Sequence, residues 1–252
     1  MNKMKKMNKF LLSSVVLCFI VLSYSQSFSQ SRNDLDKRYA LYKNNKVKTE
    51  TIEYSDGSRT VTQYDKKGRP TEEKSYNGTV ESYITTYKYD KKGRLSEEVY
   101  FGYETGDGVN AKFYYDDSGN VIKSISTGSM QDTSEYINDE QGNAITIKNS
   151  TADMSAWTGL LNYKNTYDGG RLITIETLCS TGDDFTMYTK NTYDGENLIT
   201  AEEFDKSCKT GELKFSSKKT FEYSDDNLVK QTTSQSAFTD GIRTGVYSYK
   251  KY

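Results

Sequence analysis

The sequence predicts an all-β fold, an antiparallel up-and-down meander of tandem β-hairpins. A segment that opens with Tyr-Asp recurs along the chain, and turn signals of a second kind lie midway between its copies. Hydrophobic residues make up only 34% of the 252 residues, and Tyr (22) outnumbers Phe (10). Because this is little apolar mass for a thick core, we expect a single-layer, twisted or curled sheet. A closed β-barrel of about sixteen strands is the alternative.

The first 29 residues have the pattern of a bacterial signal peptide. Four lysines precede the apolar run Phe10–Tyr24, and serines at 23, 25, 27 and 29 suit cleavage before Gln26 or Gln30. The run of about 15 residues is shorter than the roughly 20 that span a bilayer, so we predict cleavage. We therefore expect an exported protein with no membrane span after signal cleavage, located in the periplasm, outside the cell or at its surface.

The segment 30–46 lacks the repeat pattern. We interpret it as a linker, with a short helix over Asp34–Tyr42 as the alternative. The repeat domain then takes residues 47–252.

The Tyr-Asp segment has two forms, which differ in the length of the turn. The longer form reads Tyr-Asp-x-x-Gly, then Arg or Asn, then in most copies an aliphatic residue. Its Asp can accept backbone N–H bonds, and its Gly supplies the positive φ of a turn with a bulge. The shorter form suits a two-residue hairpin, so the turn type is predicted to change between residues 143 and 167. The longer copies begin at Tyr64, Tyr89, Tyr115 and, degraded, Asn138, and the shorter ones begin at Tyr167, Tyr193 and Tyr223.

Turns of the second kind alternate with these segments, which predicts chain reversals at both ends of each strand. They contain Asn77-Gly78, Thr105–Gly108, Thr127-Gly128, Thr181-Gly182 and Thr210-Gly211, with longer loops near 152–159 and 234–241. Antiparallel pairing should then bring the repeated tyrosines into a ladder, with neighbouring copies two strands apart.

The stretch Tyr87–Leu95 reads Tyr-Lys-Tyr-Asp-Lys-Lys-Gly-Arg-Leu. It resembles the signature of the RHS/YD-repeat family, Tyr-x-Tyr-Asp-x-x-Gly-Arg-Leu. The resemblance extends over roughly residues 48–252 through seven copies. It implies a curling ribbon of β-hairpins that binds carbohydrate or forms a shell around a toxin.

Several chemistries are excluded by composition. The chain has no histidine, which removes Ser-His-Asp and Cys-His catalysis and histidine zinc sites. Its glycines lie in hairpin turns rather than at the start of a helix, so no phosphate loop is expected. The net charge of −1 favours no nucleic-acid partner. We expect no catalytic residue, cofactor or metal.

A carboxylate pair is the remaining catalytic option. Candidates are abundant, and we interpret them as the solvated face of a sheet, because general acid work needs burial. They are Glu97, Glu98, Glu176, Glu202 and Glu203.

Candidate binding residues are aromatic. Trp157, the only tryptophan, lies in the loop 149–159 and is either a binding anchor or a cover over apolar side chains. The repeated tyrosines offer large amphipathic contact area. They are Tyr89, Tyr115, Tyr167, Tyr193 and Tyr223.

Cys179 and Cys208 are expected to form a disulfide. Each precedes a turn at the same end of the meander, and an even pair of cysteines in an exported protein is typical of a disulfide. Two free thiols are the alternative.

The leading functional hypothesis is an exported, non-catalytic binding or surface-interaction protein that uses a Tyr-rich face. Its partner would be an unknown glycan or envelope protein. The alternatives are a carboxylate-type, glycan-active enzyme and an accessory component of a toxin or secretion system.

Overall fold

A computed structural model of the chain describes residues 32–151, 159–238 and 241–252. These residues form one helix, α1 (Arg32–Asn44), and sixteen strands. The strands are β1 (Val47–Tyr54), β2 (Ser58–Tyr64), β3 (Pro70–Asn77), β4 (Val80–Tyr89), β5 (Leu95–Gly102), β6 (Gly108–Tyr115), β7 (Val121–Gly128), β8 (Asp132–Asn138), β9 (Ala144–Thr151), β10 (Gly159–Asp168), β11 (Arg171–Thr177), β12 (Phe185–Asp194), β13 (Asn197–Ser207), β14 (Leu213–Tyr223), β15 (Val229–Ser236) and β16 (Ile242–Lys251).

The sheet is an antiparallel meander that closes on itself. Each strand pairs with its neighbours in sequence, and β16 pairs with β1, for example at Ile52 and Tyr247. The predicted meander is confirmed, the open single-layer sheet is wrong, and the closed sixteen-strand barrel is confirmed. Closure leaves no sheet edge with unpaired backbone N–H and C=O groups, which an open ribbon would expose at both of its ends.

The two faces of the barrel wall differ in chemistry. One row of cross-strand partners on the inner face runs through Tyr249, Glu50, Thr62, Glu73, Thr85 and Tyr100. The outer face carries ion pairs between adjacent strands, including Lys88–Glu97 and Lys218–Glu202, each at 3.2 Å. Because the wall surrounds a lumen, the fold needs little apolar mass, which accounts for the low hydrophobic content.

Helix α1 replaces the linker that we favoured for this segment, and it packs against the barrel. Its Tyr42 ring lies 4.6 Å from the ring of Tyr64 and 6.2 Å from that of Tyr249. These aromatics, with Val47 and Leu228, form the buried apolar cluster of the described residues. Within those residues, α1 is also too short and too polar to span a bilayer.

Helix α1 lies across the barrel end that the Tyr-Asp turns form. On one side its backbone contacts the turn at Gly68, and on the other its Lys37 pairs with Glu196 at 3.1 Å. Those turns join β2 to β3 and β12 to β13, which are well separated around the barrel. The helix therefore partly covers this opening.

The Tyr-Asp turns change type where the sequence predicts. The four glycines of the longer form have φ between 78° and 89°, and beside each of their turns the pairing of the two strands shifts by a β-bulge. They are Gly68, Gly93, Gly119 and Gly142. The later loop at Gly169 and Gly170 has two residues, both with positive φ, and the loop at Gly195 likewise has two residues.

The copy at Tyr223 was assigned to the wrong form. Ser224 N–H donates to Leu228 O, the bond that Asp65 N–H makes to Arg69 O in the longer form. Asn227 has a φ of 57° and takes the place of glycine. Asn tolerates this conformation better than most residues, so the longer turn forms without glycine.

Candidate functional site

The longer repeat is built around an Asp–Arg pair. Asp65 Oδ1 accepts the backbone N–H groups of Lys67 and Arg69 at 2.8 and 3.0 Å, and Asp65 Oδ2 lies 2.6 Å from the Arg69 guanidinium. Partial burial works against the charged form, but these donors outweigh it and hold the pKa of Asp65 below its usual value. Asp90 and Arg94 repeat the arrangement at 2.7 Å.

Each such arginine stacks on the tyrosine of the next repeat. The Arg69 guanidinium lies 4.2 Å from the ring centre of Tyr89, and Arg94 lies 4.5 Å from that of Tyr115. Arg171 and Tyr193 repeat the contact at 5.7 Å. The Tyr-Asp-x-x-Gly-Arg signature thus links one repeat to the following one by a cation–π contact.

The tyrosine hydroxyls complete this link by donating to a backbone carbonyl of the preceding repeat. The distances lie between 2.5 and 3.1 Å. The donor and acceptor pairs are Tyr89 with Pro70, Tyr115 with Leu95, Tyr193 with Leu172, and Tyr223 with Leu198. Tyr249 does the same to Val229 at 2.7 Å, a copy that the sequence search missed because no Asp follows it.

The degraded copy keeps the link with other donors. Asn138 Nδ2 donates to Val121 O at 2.9 Å, in the manner of a repeat tyrosine. Tyr167 donates instead to Asp139 Oδ2 at 2.5 Å and accepts from Asn143 Nδ2 at 2.8 Å. All five candidate tyrosines therefore use their hydroxyls within the barrel wall, on its inner face.

A cavity of about 550 Å³ lies inside the barrel beneath α1. Glu50, Glu73 and Glu98 contribute carboxylates to its wall, and Arg38 of α1 contributes a guanidinium. It reaches solvent beside α1, where Asp36 and Lys92 are exposed. Its tyrosines are Tyr39, Tyr64, Tyr83, Tyr87, Tyr89, Tyr100, Tyr115, Tyr136 and Tyr247, so two of the five candidate tyrosines line it.

Glu50 is held by two phenols. It is only 3% exposed, and its carboxylate accepts from Tyr42 Oη at 2.5 Å and from Tyr64 Oη at 3.2 Å. Burial raises the pKa of Tyr42 to about 12, with the Glu50 carboxylate adding to the effect. Tyr42 therefore remains a neutral donor at any physiological pH.

Glu73 is less firmly held. Thr62 Oγ1 and Tyr83 Oη each lie 3.4 Å from its carboxylate, long for charge-assisted hydrogen bonds. Among the described residues, no Lys or Arg nitrogen lies within 4 Å of Glu73 or Glu50. Burial raises the pKa of Glu73, and the nearby charge of Glu50 raises it further.

Most of the acids singled out from the sequence lie elsewhere. Glu97, Glu176 and Glu202 form outer-face ion pairs with lysines, and Glu203 accepts from Ser217 at 2.7 Å. Only Glu98 lines the cavity. The sequence analysis did not single out Glu50 or Glu73. Side chains alternate between the two faces along β2, so Thr62 lies on the inner face with Tyr64, and both glutamates are cross-strand partners of Thr62.

The remaining candidates lie apart from the cavity. The structure joins Cys179 to Cys208 in a disulfide with a Cα–Cα distance of 5.8 Å, at the end opposite the Tyr-Asp turns. Trp157 lies outside the described residues. Within the described part of the chain, no set of three His, Cys, Asp or Glu side chains is arranged to hold a metal ion.

Residues 64–105 match the family model of the RHS repeat. This segment is an RHS repeat. The matched segment holds the copies at Tyr64 and Tyr89 and the first Arg–Tyr stack between them. No curated protein matches the chain.

Several solved structures resemble the chain weakly. A TcdB2-TccC3-Cdc42 structure is 16% identical over 76% of this chain and 10% of that chain, with a TM-score of 0.33. A Photorhabdus luminescens Tc holotoxin pore is 15% identical over 75% of this chain and 12% of that chain, with a TM-score of 0.30. A porin-like protein from Bacteroides uniformis is 12% identical over 81% of this chain and 96% of that chain, with a TM-score of 0.38. The chain spans about a tenth of the length of the two toxin chains.

Proposed function

We propose that this protein is a non-catalytic binding protein that acts outside the cytoplasm and binds a glycan inside its barrel. The observation that carries the proposal is the cavity of about 550 Å³, which has the size of a small-molecule site. Its wall combines tyrosine rings with carboxylate, hydroxyl and guanidinium groups. The RHS repeat supports a surface or secretion-related setting, and the signal-peptide pattern of residues 1–29 supports export.

The inner wall suits a sugar because a sugar ring has apolar faces and a polar rim. The rings of Tyr83 and Tyr100 lie 5.6 Å apart and 39° from parallel, so their surfaces can contact a pyranose face. Thr62 and Thr85 stand in the same row and contribute to the lining of the cavity. The tyrosine-rich surface proposed for binding is therefore the lumen rather than an exposed sheet face.

The test is a glycan array probed with folded protein, followed by calorimetric titration of any ligand found. Tyr100→Ala should weaken binding at least about ten-fold, because it removes a ring from the cavity wall. Tyr114→Ala is the matched control, since Tyr114 is 44% exposed on the outer face and should leave the affinity unchanged. An array without any binder, or an equal loss in both variants, would contradict the proposal.

A carboxylate-type, glycan-active enzyme is the second candidate, favoured by the two acids of the cavity. Glu50 and Glu73 flank Thr62 in one row, so their backbones stand two strand spacings apart, about 9.6 Å. Inverting glycosidases separate their carboxyl groups by roughly 6.5–9.5 Å. We prefer binding because two phenols hold the Glu50 carboxylate. Release of reducing sugar from a bound glycan, abolished in Glu73→Gln, would favour the enzyme.

A further inference from the structure

The cavity beneath α1 holds more negative than positive charge. The acids of its lining are Asp36, Glu50, Glu73 and Glu98, and the basic residues are Arg38, Lys92 and Arg94. Arg38 lies over the Tyr42 ring at 5.6 Å, and its charge acts on both Glu50 and Glu73 without an ion-pair contact within 4 Å. The other basic side chains of the lining lie at the turns, where Arg94 pairs with Asp90 at 2.7 Å and Lys92 is exposed. Desolvating the carboxylates of Glu50 and Glu73 with no cation in contact is costly, so these two residues favour a positively charged ligand.

Glu73 is the carboxylate best placed to meet such a ligand. Its direct cross-strand partners, Thr62 and Thr85, have short side chains, and the longer side chain of Tyr83 on β4 reaches it through its hydroxyl at 3.4 Å. Its two hydrogen bonds are long, whereas Glu50 receives a bond of 2.5 Å. An ammonium group could therefore replace weak contacts with a strong, charge-assisted one.

Aromatic rings stand beside this carboxylate. Tyr83 Oη is one of the two hydroxyls that reach Glu73, and the ring of Tyr83 packs near that of Tyr100. The face of a tyrosine ring attracts cations, and the same face can contact a sugar ring. Carboxylate and rings thus meet at one place in the wall.

We propose that the lumen binds an amino sugar with a free amine, whose ammonium group pairs with Glu73 while its ring contacts Tyr83 and Tyr100. This inference rests on the proposed glycan-binding function and names the class of glycan. An N-acetylated sugar lacks the positive charge and would leave Glu73 without a cation.

The experiment is calorimetric titration at about pH 6, where the amine is charged, with three ligands. They are a glucosamine tetramer, the fully N-acetylated tetramer, and cadaverine, which carries ammonium groups without a sugar. We expect the glucosamine tetramer to bind at least about ten-fold more tightly than the acetylated one, the size of a charge-assisted hydrogen bond. Cadaverine should bind more weakly than the glucosamine tetramer, because it lacks the ring.

Two variants assign the preference to the cavity. Glu73→Gln should bring the two tetramers to within about three-fold of each other, since the amide keeps the shape without the charge. Glu72→Gln is the matched control, because Glu72 lies next in sequence on the outer face and bonds Gln63 at 3.2 Å. It should keep the full preference, and circular dichroism should show the same sheet in both variants.

The outcomes separate the two proposals. Equal binding of both tetramers would overturn the amino-sugar assignment and leave glycan binding standing. Cadaverine binding as tight as the glucosamine tetramer would also overturn it, because the sugar would then contribute nothing. A preference that survives in Glu73→Gln would place the recognition elsewhere. Binding of no glycan, on the array or in the titration, would refute the proposed function itself.

Discussion

The contact between α1 and the first Tyr-Asp turn can be tested with one methyl group. Gly68 has a φ of 78°, and a Cβ at this position would lie 2.1 Å from Tyr39 O and 2.6 Å from Lys43 N. Both atoms belong to the backbone of α1, so no side-chain rotation relieves the overlap. Gly57 has nearly the same φ, 81°, but a Cβ there meets nothing within 4 Å. The pair Gly68→Ala and Gly57→Ala therefore separates backbone strain from helix contact.

The expected losses of unfolding free energy follow from backbone strain and from the overlap with α1. Both variants place a non-glycine residue at positive φ, which costs roughly 1–2 kcal/mol of unfolding free energy. Gly68→Ala adds overpacking against α1, worth about 1–3 kcal/mol. If α1 lifts off instead, the burial of Tyr42 between Tyr64 and Tyr249 is lost, which costs a similar amount. We expect Gly57→Ala to lose about 1–2 kcal/mol and Gly68→Ala to lose about 2–5 kcal/mol.

Urea unfolding of the protein measures these losses, and limited trypsin digestion reports on α1 directly. Trypsin cuts after Lys37, Arg38 and Lys43, and Gly68→Ala should speed these cuts while Gly57→Ala leaves them at the wild-type rate. Equal losses of unfolding free energy with unchanged digestion in both variants would refute the docking of α1 on the turn.

Three further predictions concern the barrel wall. Tyr115→Phe should lower the unfolding free energy by about 1 kcal/mol, because it removes the bond of Tyr115 Oη to Leu95 O, whereas Tyr114→Phe should change it by less than about 0.5 kcal/mol in the same urea assay. Non-reducing peptide mapping should recover Cys179 and Cys208 in one disulfide, and replacing both with Ser should cost about 3–4 kcal/mol for a separation of 29 residues; free thiols would contradict this. The pKa of Glu73 is raised in the folded state, so the folded protein keeps the Glu73 proton to higher pH than the unfolded chain does. The unfolding free energy should therefore fall as the pH rises from the ordinary glutamate pKa through the raised value. Glu73→Gln should flatten this part of the profile, and an unchanged slope in urea titrations would contradict the assignment.

The repeat segments show which structural features a short sequence pattern can predict. Asp65, Gly68 and Arg69 act within a single turn, so their spacing alone identified the hairpin and its bulge. The copy at Tyr223 was misassigned because Asn227 takes the positive φ of a glycine. The site was harder to find, since Glu50 and Glu73 lie 23 residues apart in sequence and meet only through their shared partner Thr62.

By itself, the sequence determined the all-β meander, the positions of its chain reversals and the absence of histidine chemistry. These properties depend on neighbouring residues and on composition, which can be read from the chain directly. Only the tertiary structure decided that β16 meets β1, that the tyrosines face a lumen, and that α1 partly covers one end. Closure depends on the accumulated twist and register of sixteen strands, and no short segment encodes that sum.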